Sequence, residues 1–123
     1  MAGLTNAEAQ ATLDARFPTT GATDHVAYSA NGTSESSAVA RTAVGATGWA
    51  AATAADPSVK ANAAVLTSAA ATGAATITHF AVMSASTAGT QRTDWTALAS
   101  GGRTVGIGDT LSWEVGALQV TLT

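Results

Sequence analysis

Residues 75–84 read ATITHFAVMS, and the alternation of their side chains decides the fold class. Successive side chains of a β-strand point to opposite faces of the sheet. Ile77 and Met83 therefore lie on one face. Phe80 and Val82 lie on the other, so both faces carry bulky apolar groups, which is typical of a strand inside a sheet. The stretch predicts a central β-strand.

Further candidate strands surround this one at short spacing, with glycine-containing turns between many of them. They are residues 25–30, 35–44, 63–67, 94–98, 110–115 and 117–122. The last of them alternates apolar and polar side chains, as a half-buried strand does. Residues 49–55 are rich in alanine, which favours helix, but they lie between strands, so we interpret them as extended. The series predicts an all-β protein, an antiparallel β-sandwich of the jelly-roll or immunoglobulin-like kind.

One short helix is predicted near the N-terminus. Thr5 and Glu8 have the spacing of a capping box, with Asn6 as the alternative cap. The apolar stripe that follows comprises Ala9, Leu13 and Phe17. Pro18 disfavours helical geometry in the residue before it, so the helix should cover about residues 6–16.

Large apolar side chains are scarce in this 123-residue sequence, because most of the 46% of hydrophobic residues are alanine and only 5% of residues are aromatic. The length is typical of one domain. We predict an N-terminal arm with a short helix over residues 1–18 and a single β-sandwich domain over residues 19–123. Such a thin core favours further burial against other subunits.

Charge and composition exclude several classes of partner. Charged residues make up 11% of the sequence and the net charge is −3. Binding to phosphate groups needs a basic stripe, so we expect no nucleic-acid partner. Cysteine is absent, which excludes disulfides and thiolate metal sites. No secretory signal pattern and no run of about 18 apolar residues occurs, so we expect no export by that route and no membrane association.

The two histidines, His25 and His79, are the candidates for metal or acid-base chemistry. No acidic residue stands at a spacing that selects it as a further ligand, so hydrogen-bonded structural histidines are the preferred interpretation. No Gly-x-Ser-x-Gly turn presents a serine nucleophile. A glycan-cleaving enzyme needs two facing carboxylates, and the whole chain has eight acidic residues. We predict no catalytic residue, no cofactor and no metal site, and therefore no enzyme.

The glycine pairs and the three tryptophans each allow two interpretations. Gly101-Gly102-Arg103 lacks the ending of a phosphate loop, and residues 106–109 lack the alternating carboxylates of a calcium loop, so both predict turns. The tryptophans suit core packing or a sugar-binding platform, for which Trp49 and Trp95 are the exposed candidates. Packing in the core or in a subunit interface is the preferred interpretation, because other large side chains are few.

Three segments carry a family resemblance: residues 1–6 (MAGLTN), 74–83 (AATITHFAVM) and 105–122 (VGIGDTLSWEVGALQVTL). In this order, over about the whole chain, the sequence resembles small virion proteins of tailed bacteriophages, the tail-fibre and head-decoration β-sandwich proteins. The resemblance implies a structural component of the virion. Within it we expect a capsid (head) decoration protein that stabilises or decorates the shell. The alternative is a tail-fibre or tail-associated module that binds the host surface.

The resemblance also implies partners and a location. The expected partner is the phage major capsid protein or another virion protein, and the expected location is the virion, after assembly in the host cytoplasm. The thin core favours a homo-oligomer, and a trimer matches the threefold positions of a shell. The N-terminal segment is the candidate docking element, with Leu4, Leu13 and Phe17 as candidate interface residues, because a terminal element docks without disturbing strand pairing.

The predicted fold class has a spectroscopic consequence. Because only residues 6–16 combine a helix start, stripe and stop, we expect far-ultraviolet circular dichroism of the purified protein to be dominated by strand, with a small helical share. A spectrum with about a third or more helix would overturn the β-sandwich prediction. It would also favour helices in the alanine-rich segments.

Overall fold

The computed structural model of the protein describes residues 3–99 and 101–122. These residues form one α-helix and ten short β-strands. In chain order they are α1 (Asn6–Arg16), β1 (His25–Ser29), β2 (Thr42–Ala43), β3 (Ser58–Ala61), β4 (Leu66–Thr67), β5 (Ala75–Ile77), β6 (His79–Met83), β7 (Thr96–Ala97), β8 (Arg103–Val105), β9 (Ser112–Trp113) and β10 (Gln119–Leu122). The strand pairs with a defined register are antiparallel. The all-β class with a short N-terminal helix is confirmed, and closure into a sandwich stays a prediction.

Helix α1 begins and ends where the sequence predicts. Thr5 caps it, because its Oγ1 accepts a hydrogen bond of 3.2 Å from the backbone N–H of Glu8. At the other end the N–H of Phe17 donates to the carbonyl of Leu13 at 2.8 Å. Ala9, Leu13 and Phe17 are all buried. The predicted apolar stripe is therefore the face that packs into the protein.

Contacts group the chain into two compact units. The first comprises Met1–Ala22, Val44–Leu66 and Trp113–Thr123. The second comprises Thr23–Ala43 and Thr67–Ser112. Each unit is built from segments that are distant in the sequence, so each depends on long-range pairing. The predicted organisation, an arm and helix over residues 1–18 and one domain over residues 19–123, stays a prediction.

In the first unit, α1 packs against β3, and β3 pairs with β10. Along β10 and the residue before it, Leu118 and Val120 are buried while Gln119 and Thr121 are exposed. The predicted alternation of the last strand is confirmed.

The stretch that begins at Trp49 runs beside β3 without helical structure up to Thr53, as predicted, whereas residues 54–57 form bends. Its backbone N–H groups donate to carbonyl groups of β3, from Ala50 to Ala61 at 2.8 Å and from Thr53 to Val59 at 3.0 Å. The indole of Trp49 is buried and meets the ring of Phe17 edge to face, with 5.5 Å between the ring centroids. This aromatic pair joins the end of α1 to the interior of the first unit.

The sequence does not predict β3, because Lys60 occupies an inward-facing position of that strand. The Lys60 side chain is 0% exposed, and its Nζ donates to Oδ1 of Asp14 on α1 at 2.7 Å. The same Oδ1 accepts from the backbone N–H of Ala52 at 2.9 Å. The side chain of Gln10 donates to the carbonyl of Ala52 at 2.9 Å. Polar bonds therefore hold α1 to the unit alongside its apolar stripe.

The pKa of the Asp14 carboxyl lies below its ordinary value of 3.8. Burial by itself raises this pKa, but the hydrogen bond from Lys60, the N–H of Ala52 and the positive charge of Lys60 together outweigh it. Asp14 therefore stays ionised through the neutral and mildly acidic range, and the buried ammonium of Lys60 keeps its counter-ion.

In the second unit, four antiparallel strands form a sheet in the order β2-β1-β6-β7. Strand β1 pairs with β6 over five residues, from His25 opposite Met83 to Ser29 opposite His79. Strand β6 has a partner on each side, and its residues from Phe80 onward are buried. The prediction of a central strand is confirmed for β6.

The prediction of one strand over residues 75–84 is wrong in its continuity, because β5 and β6 pair with different partners. Strand β5 pairs with β8, whereas β6 pairs with β1 and β7. Thr78 lies between them, and its N–H donates to the carbonyl of Ser29 at 2.9 Å. The alternation of side chains runs through Thr78, so the pattern in the sequence has no break where the pairing changes.

The remaining predicted strands are shorter than expected. Those at residues 35–44, 63–67, 94–98 and 110–115 each contain a strand of two residues. In the first of these, and just before it, side chains bond backbone groups: Oδ1 of Asn31 accepts from the N–H of Thr33 and of Ser34, and Oγ of Ser36 accepts from the N–H of Ala38. Such local bonds compete with strand pairing. The turn predicted at Gly101-Gly102-Arg103 is also shorter, because Arg103 begins β8.

The geometry of Asp14 and Lys60 predicts unequal effects of removing either partner. Asp14→Asn leaves a fully buried ammonium without a counter-ion, so we expect the free energy of unfolding to fall by about 3 kcal/mol or more. Lys60→Met leaves a carboxylate that is 35% exposed and still accepts from Ala52, so we expect a loss of about 1 kcal/mol or less. Urea unfolding of both variants measures the difference.

The same pair sets a pH dependence that serves as the control. Because the folded pKa of Asp14 is depressed, the contribution of the pair is fully present above 3.8 and is lost as the pH falls through the lower folded value. The stability difference between the wild type and Lys60→Met should therefore shrink in strong acid. Equal losses in the two variants at neutral pH would contradict this account of the pair.

Candidate functional site

The three predicted docking residues have different environments in the structure. Leu13 and Phe17 are buried, with 4% and 6% of their surface exposed, and both lie on the packed face of α1. Leu4 precedes the helix and is 52% exposed. Of these three side chains, only that of Leu4 is therefore accessible to a partner in this conformation. Docking through the N-terminal segment stays a prediction.

Both histidines are partly buried and hydrogen-bonded. Nδ1 of His25 lies 2.8 Å from the carbonyl of Thr23. Nδ1 of His79 lies 2.8 Å from Oγ1 of Thr78, and its ring packs closely on Gly32. Across residues 3–99 and 101–122 no group of three or more His, Cys, Asp or Glu side chains is arranged to hold a metal ion.

The three tryptophans lie in different surroundings. Trp49 is 2% exposed, which confirms core packing for this ring. Trp113 on β9 is partly buried. Trp95, just before β7, is also partly buried, and it packs against Ala27, Ala81 and Met83. Trp95 thus packs on a cluster of two alanines and one methionine, and part of its own surface stays exposed to solvent.

The strand register explains why Trp95 lies there. Ala97 pairs with His79, so Trp95, two residues earlier, comes opposite Ala81 on the same face. Ala81 pairs in turn with Ala27. We name the face of the four-stranded sheet with these side chains the Trp95 face, and its members are His25, Ala27, His79, Ala81, Met83 and Trp95. Ala27 and Ala81 are 0% exposed, and Trp95 packs against the cluster that they form with Met83.

Several polar atoms of the Trp95 face, and of Gln91 next to it, have no partner among the described residues. The indole N–H of Trp95 donates no hydrogen bond there, and no buried side-chain nitrogen or oxygen in the described part of the chain is unsatisfied, so this N–H reaches solvent. Because the Thr23 carbonyl only accepts, Nδ1 of His25 donates and Nε2 of the neutral ring is left as an acceptor. Gln91, which bridges to Met83, donates through Nε2 to the carbonyl of Thr93 and has its Oε1 open.

Two of the three arginines of the second unit form ion pairs, and the third, Arg103, lies on β8 outside the four-stranded sheet. Nη1 of Arg92 binds the buried carboxylate of Asp24 at 2.6 Å. Arg41 binds both oxygens of Glu35 and the carbonyls of two alanines, and its pKa is raised chiefly by the hydrogen bond to Glu35. The Trp95 face therefore presents polar groups without a free positive charge from these two arginines.

Large apolar residues are exposed at loops. In the first unit they include Val65 and Val115, which are 53% and 61% exposed. In the second unit the predicted turn at residues 106–109 forms, with the N–H of Gly106 bonded to Oδ2 of Asp109 at 2.7 Å. This turn holds Ile107 79% exposed. No helix within the described residues is long and apolar enough to cross a membrane.

A comparison with known families identifies the chain. Residues 4–121 match the family described as podophage GP4 fiber I protein gp80. The chain belongs to this family. The match covers all the helices and strands described above except the last residue of β10. No curated protein matches the chain.

Membership of the fiber I family confirms the resemblance to phage virion proteins of the tail-fibre kind. It supports the broad functional expectation, a structural component of a bacteriophage virion. The description names a fibre, so it supports the tail-fibre alternative better than the capsid decoration that the sequence led us to expect first.

The Trp95 face combines residues that the sequence offered separately. The histidines and Trp95 were singled out, but Gln91 was not, and nothing in its local sequence places it near Met83. The alternation of residues 79–83 does predict that His79, Ala81 and Met83 share a face. The register between β1 and β6, which adds His25 and Ala27, has no signal in the sequence.

The environments of Leu4 and Phe17 predict separable effects. Phe17→Ala removes a buried ring that packs on Trp49, so we expect a loss of about 3–5 kcal/mol in the free energy of unfolding. Leu4→Ser changes an exposed side chain and should alter stability by about 0.5 kcal/mol or less. If Leu4 docks the protein, incorporation into particles should fall in Leu4→Ser at unchanged melting temperature. Full incorporation of this variant would count against the docking prediction.

Proposed function

We propose that this protein is a non-catalytic component of a podophage tail fibre, built into the virion after assembly in the host cytoplasm. The observation that carries the proposal is the match of residues 4–121 to a fiber I family. The match covers almost the whole chain, which supports assigning the proposed role to the fold described above.

The geometry of the described residues supports a role without catalysis. Catalysis by side chains needs titratable groups that converge, with a nucleophile or acid held next to its base. Here charged side chains form ion pairs that hold parts of the fold together. Asp14 pairs with Lys60, and Asp24 pairs with Arg92. Each histidine bonds a neighbour within its own loop or strand. These arrangements stabilise the fold.

Contacts with other virion proteins are part of the proposal. Asn62 donates to the carbonyls of Ala64 and Glu114, at 2.8 and 2.9 Å, and so brings together two loops of the first unit. The next residue on each loop, Val65 and Val115, is exposed. This apolar pair and Leu4 suit contact with a further copy or with another virion protein. A homo-oligomer, with a trimer favoured, would supply burial that the thin core lacks.

The test is position and copy number in the particle. We expect antibody or gold labelling to mark the tail, and quantitative mass spectrometry against the major capsid protein to give a small copy number that fits the symmetry of the tail. Hundreds of copies spread over the shell would overturn the tail assignment and favour head decoration. Absence from purified particles would overturn a virion role of either kind.

A further inference from the structure

We propose that the Trp95 face is a stacking surface for a neutral sugar ring of a host-surface polysaccharide. The proposal deepens the proposed function, since a fibre that reaches the host surface needs a surface chemistry that recognises it. It is carried by three observations on the second unit: the packing of the indole, the polar atoms of this face that have no partner, and the pairing of the neighbouring Arg92 with Asp24.

The packing of Trp95 against the sheet makes its ring suitable as a platform. Trp95 packs against the buried cluster of Ala27, Ala81 and Met83, in which both alanines are 0% exposed. Their methyl groups let the ring lie close to the sheet, and the packing restricts its rotamers before any ligand arrives. The protein thus holds the indole in place, and the part of Trp95 that stays exposed is proposed to contact the C–H face of a sugar.

The polar atoms of this face are suited to hydrogen bonds with the hydroxyl groups of a sugar. A pyranose has an apolar C–H face and a rim of hydroxyl groups, each of which donates and accepts hydrogen bonds. The Trp95 face offers the indole N–H as a donor and Nε2 of His25 as an acceptor, and Gln91 adds its Oε1 as an acceptor. An apolar surface with a few polar groups beside it is the usual composition of a small-molecule site.

The charges near the platform favour a neutral ligand. The guanidinium of Arg92 is held by Asp24 at 2.6 Å, so it is not free to bind an anionic sugar. Asp94, the neighbour of Trp95 in the chain, is exposed, and its carboxylate has no bond to another described side chain. An acidic polysaccharide would therefore meet the negative charge of Asp94, while the neighbouring Arg92 is already paired with Asp24. A neutral hexose or N-acetylhexosamine is the ligand class that fits.

A flat platform of this kind binds weakly at each site. Stacking on one aromatic ring contributes roughly 0.5–1.5 kcal/mol beyond the area that it buries. A fibre with several copies raises the overall affinity by avidity when a repeating polysaccharide engages several rings at once. Repeating neutral sugars on a cell surface are thus a suitable ligand for many copies of a weak site.

The experiment uses the purified full-length protein and the polysaccharide extracted from the strain on which the phage forms plaques. Three tryptophans give three indole N–H signals in a 15N-correlated NMR spectrum, and single tryptophan variants assign them. We expect the Trp95 signal to shift on titration while the signal of buried Trp49 stays in place. Trp113→Phe is the matched control, since it changes a partly buried tryptophan outside the face.

Two variants separate binding from folding. Trp95→Ala should weaken binding about tenfold, but it removes packing against Ala27 and Ala81 and could lower stability. Gln91→Ala changes an exposed side chain, so we expect an unchanged melting temperature with binding weaker by about threefold or more. An unshifted Trp95 signal at saturating polysaccharide would overturn the proposal, as would full binding by Gln91→Ala and Trp95→Phe together.

The remaining outcomes are also informative. If protease treatment of host cells abolishes binding and removal of polysaccharide does not, the partner is a protein and the sugar surface is rejected. Particle labelling tests the fibre role independently of these titrations. A tail location without a Trp95 shift would reject the sugar surface alone, and a Trp95 shift with labelling on the head would reject the tail role alone.

Discussion

Scarcity of large apolar side chains is the constraint on which this structure depends. A protein that buries little apolar area has a small margin over the conformational entropy that folding removes. The large rings of the two units are used for packing in different ways. Trp49 meets Phe17 inside the first unit, and Trp95 packs against Ala27 and Ala81 in the second. Short strands follow from the same scarcity, since few positions offer a side chain that rewards longer pairing.

Buried ion pairs hold parts of the fold in place where large apolar side chains are few. Lys60 is fully buried beneath α1 and reaches Asp14, while Asp24 is buried and reaches Arg92. Such pairs add little net stability over an apolar alternative, because both ions lose water, but they penalise any arrangement that separates the partners. No buried side-chain nitrogen or oxygen is left unsatisfied within the described residues. In a thin core, this selects one register and one helix position over the alternatives.

A fibre role is compatible with this construction. Residues 4–121 match a fiber I family, and a structural component of a virion needs a stable fold and contacts with its neighbours. In the same structure Trp95 and Trp113 stay partly exposed, and Val65 and Val115 are exposed. Weak single contacts are sufficient when a particle presents several copies, because simultaneous engagement multiplies their effect.

Local signals let the sequence determine the helix and two of the strands. The cap at Thr5, the stripe to Phe17 and the alternation at residues 79–83 and 118–122 each lie within a few residues, so their physics needs no distant partner. Tertiary structure decided the rest. Lys60 makes β3 unrecognisable until Asp14 lies beside it, and the change of partner at Thr78 leaves the alternation intact. The Trp95 face brings together residues as distant in the sequence as His25 and Trp95, and it depends on the register of the strands. Register is set by long-range pairing, which the periodicity of side chains does not determine.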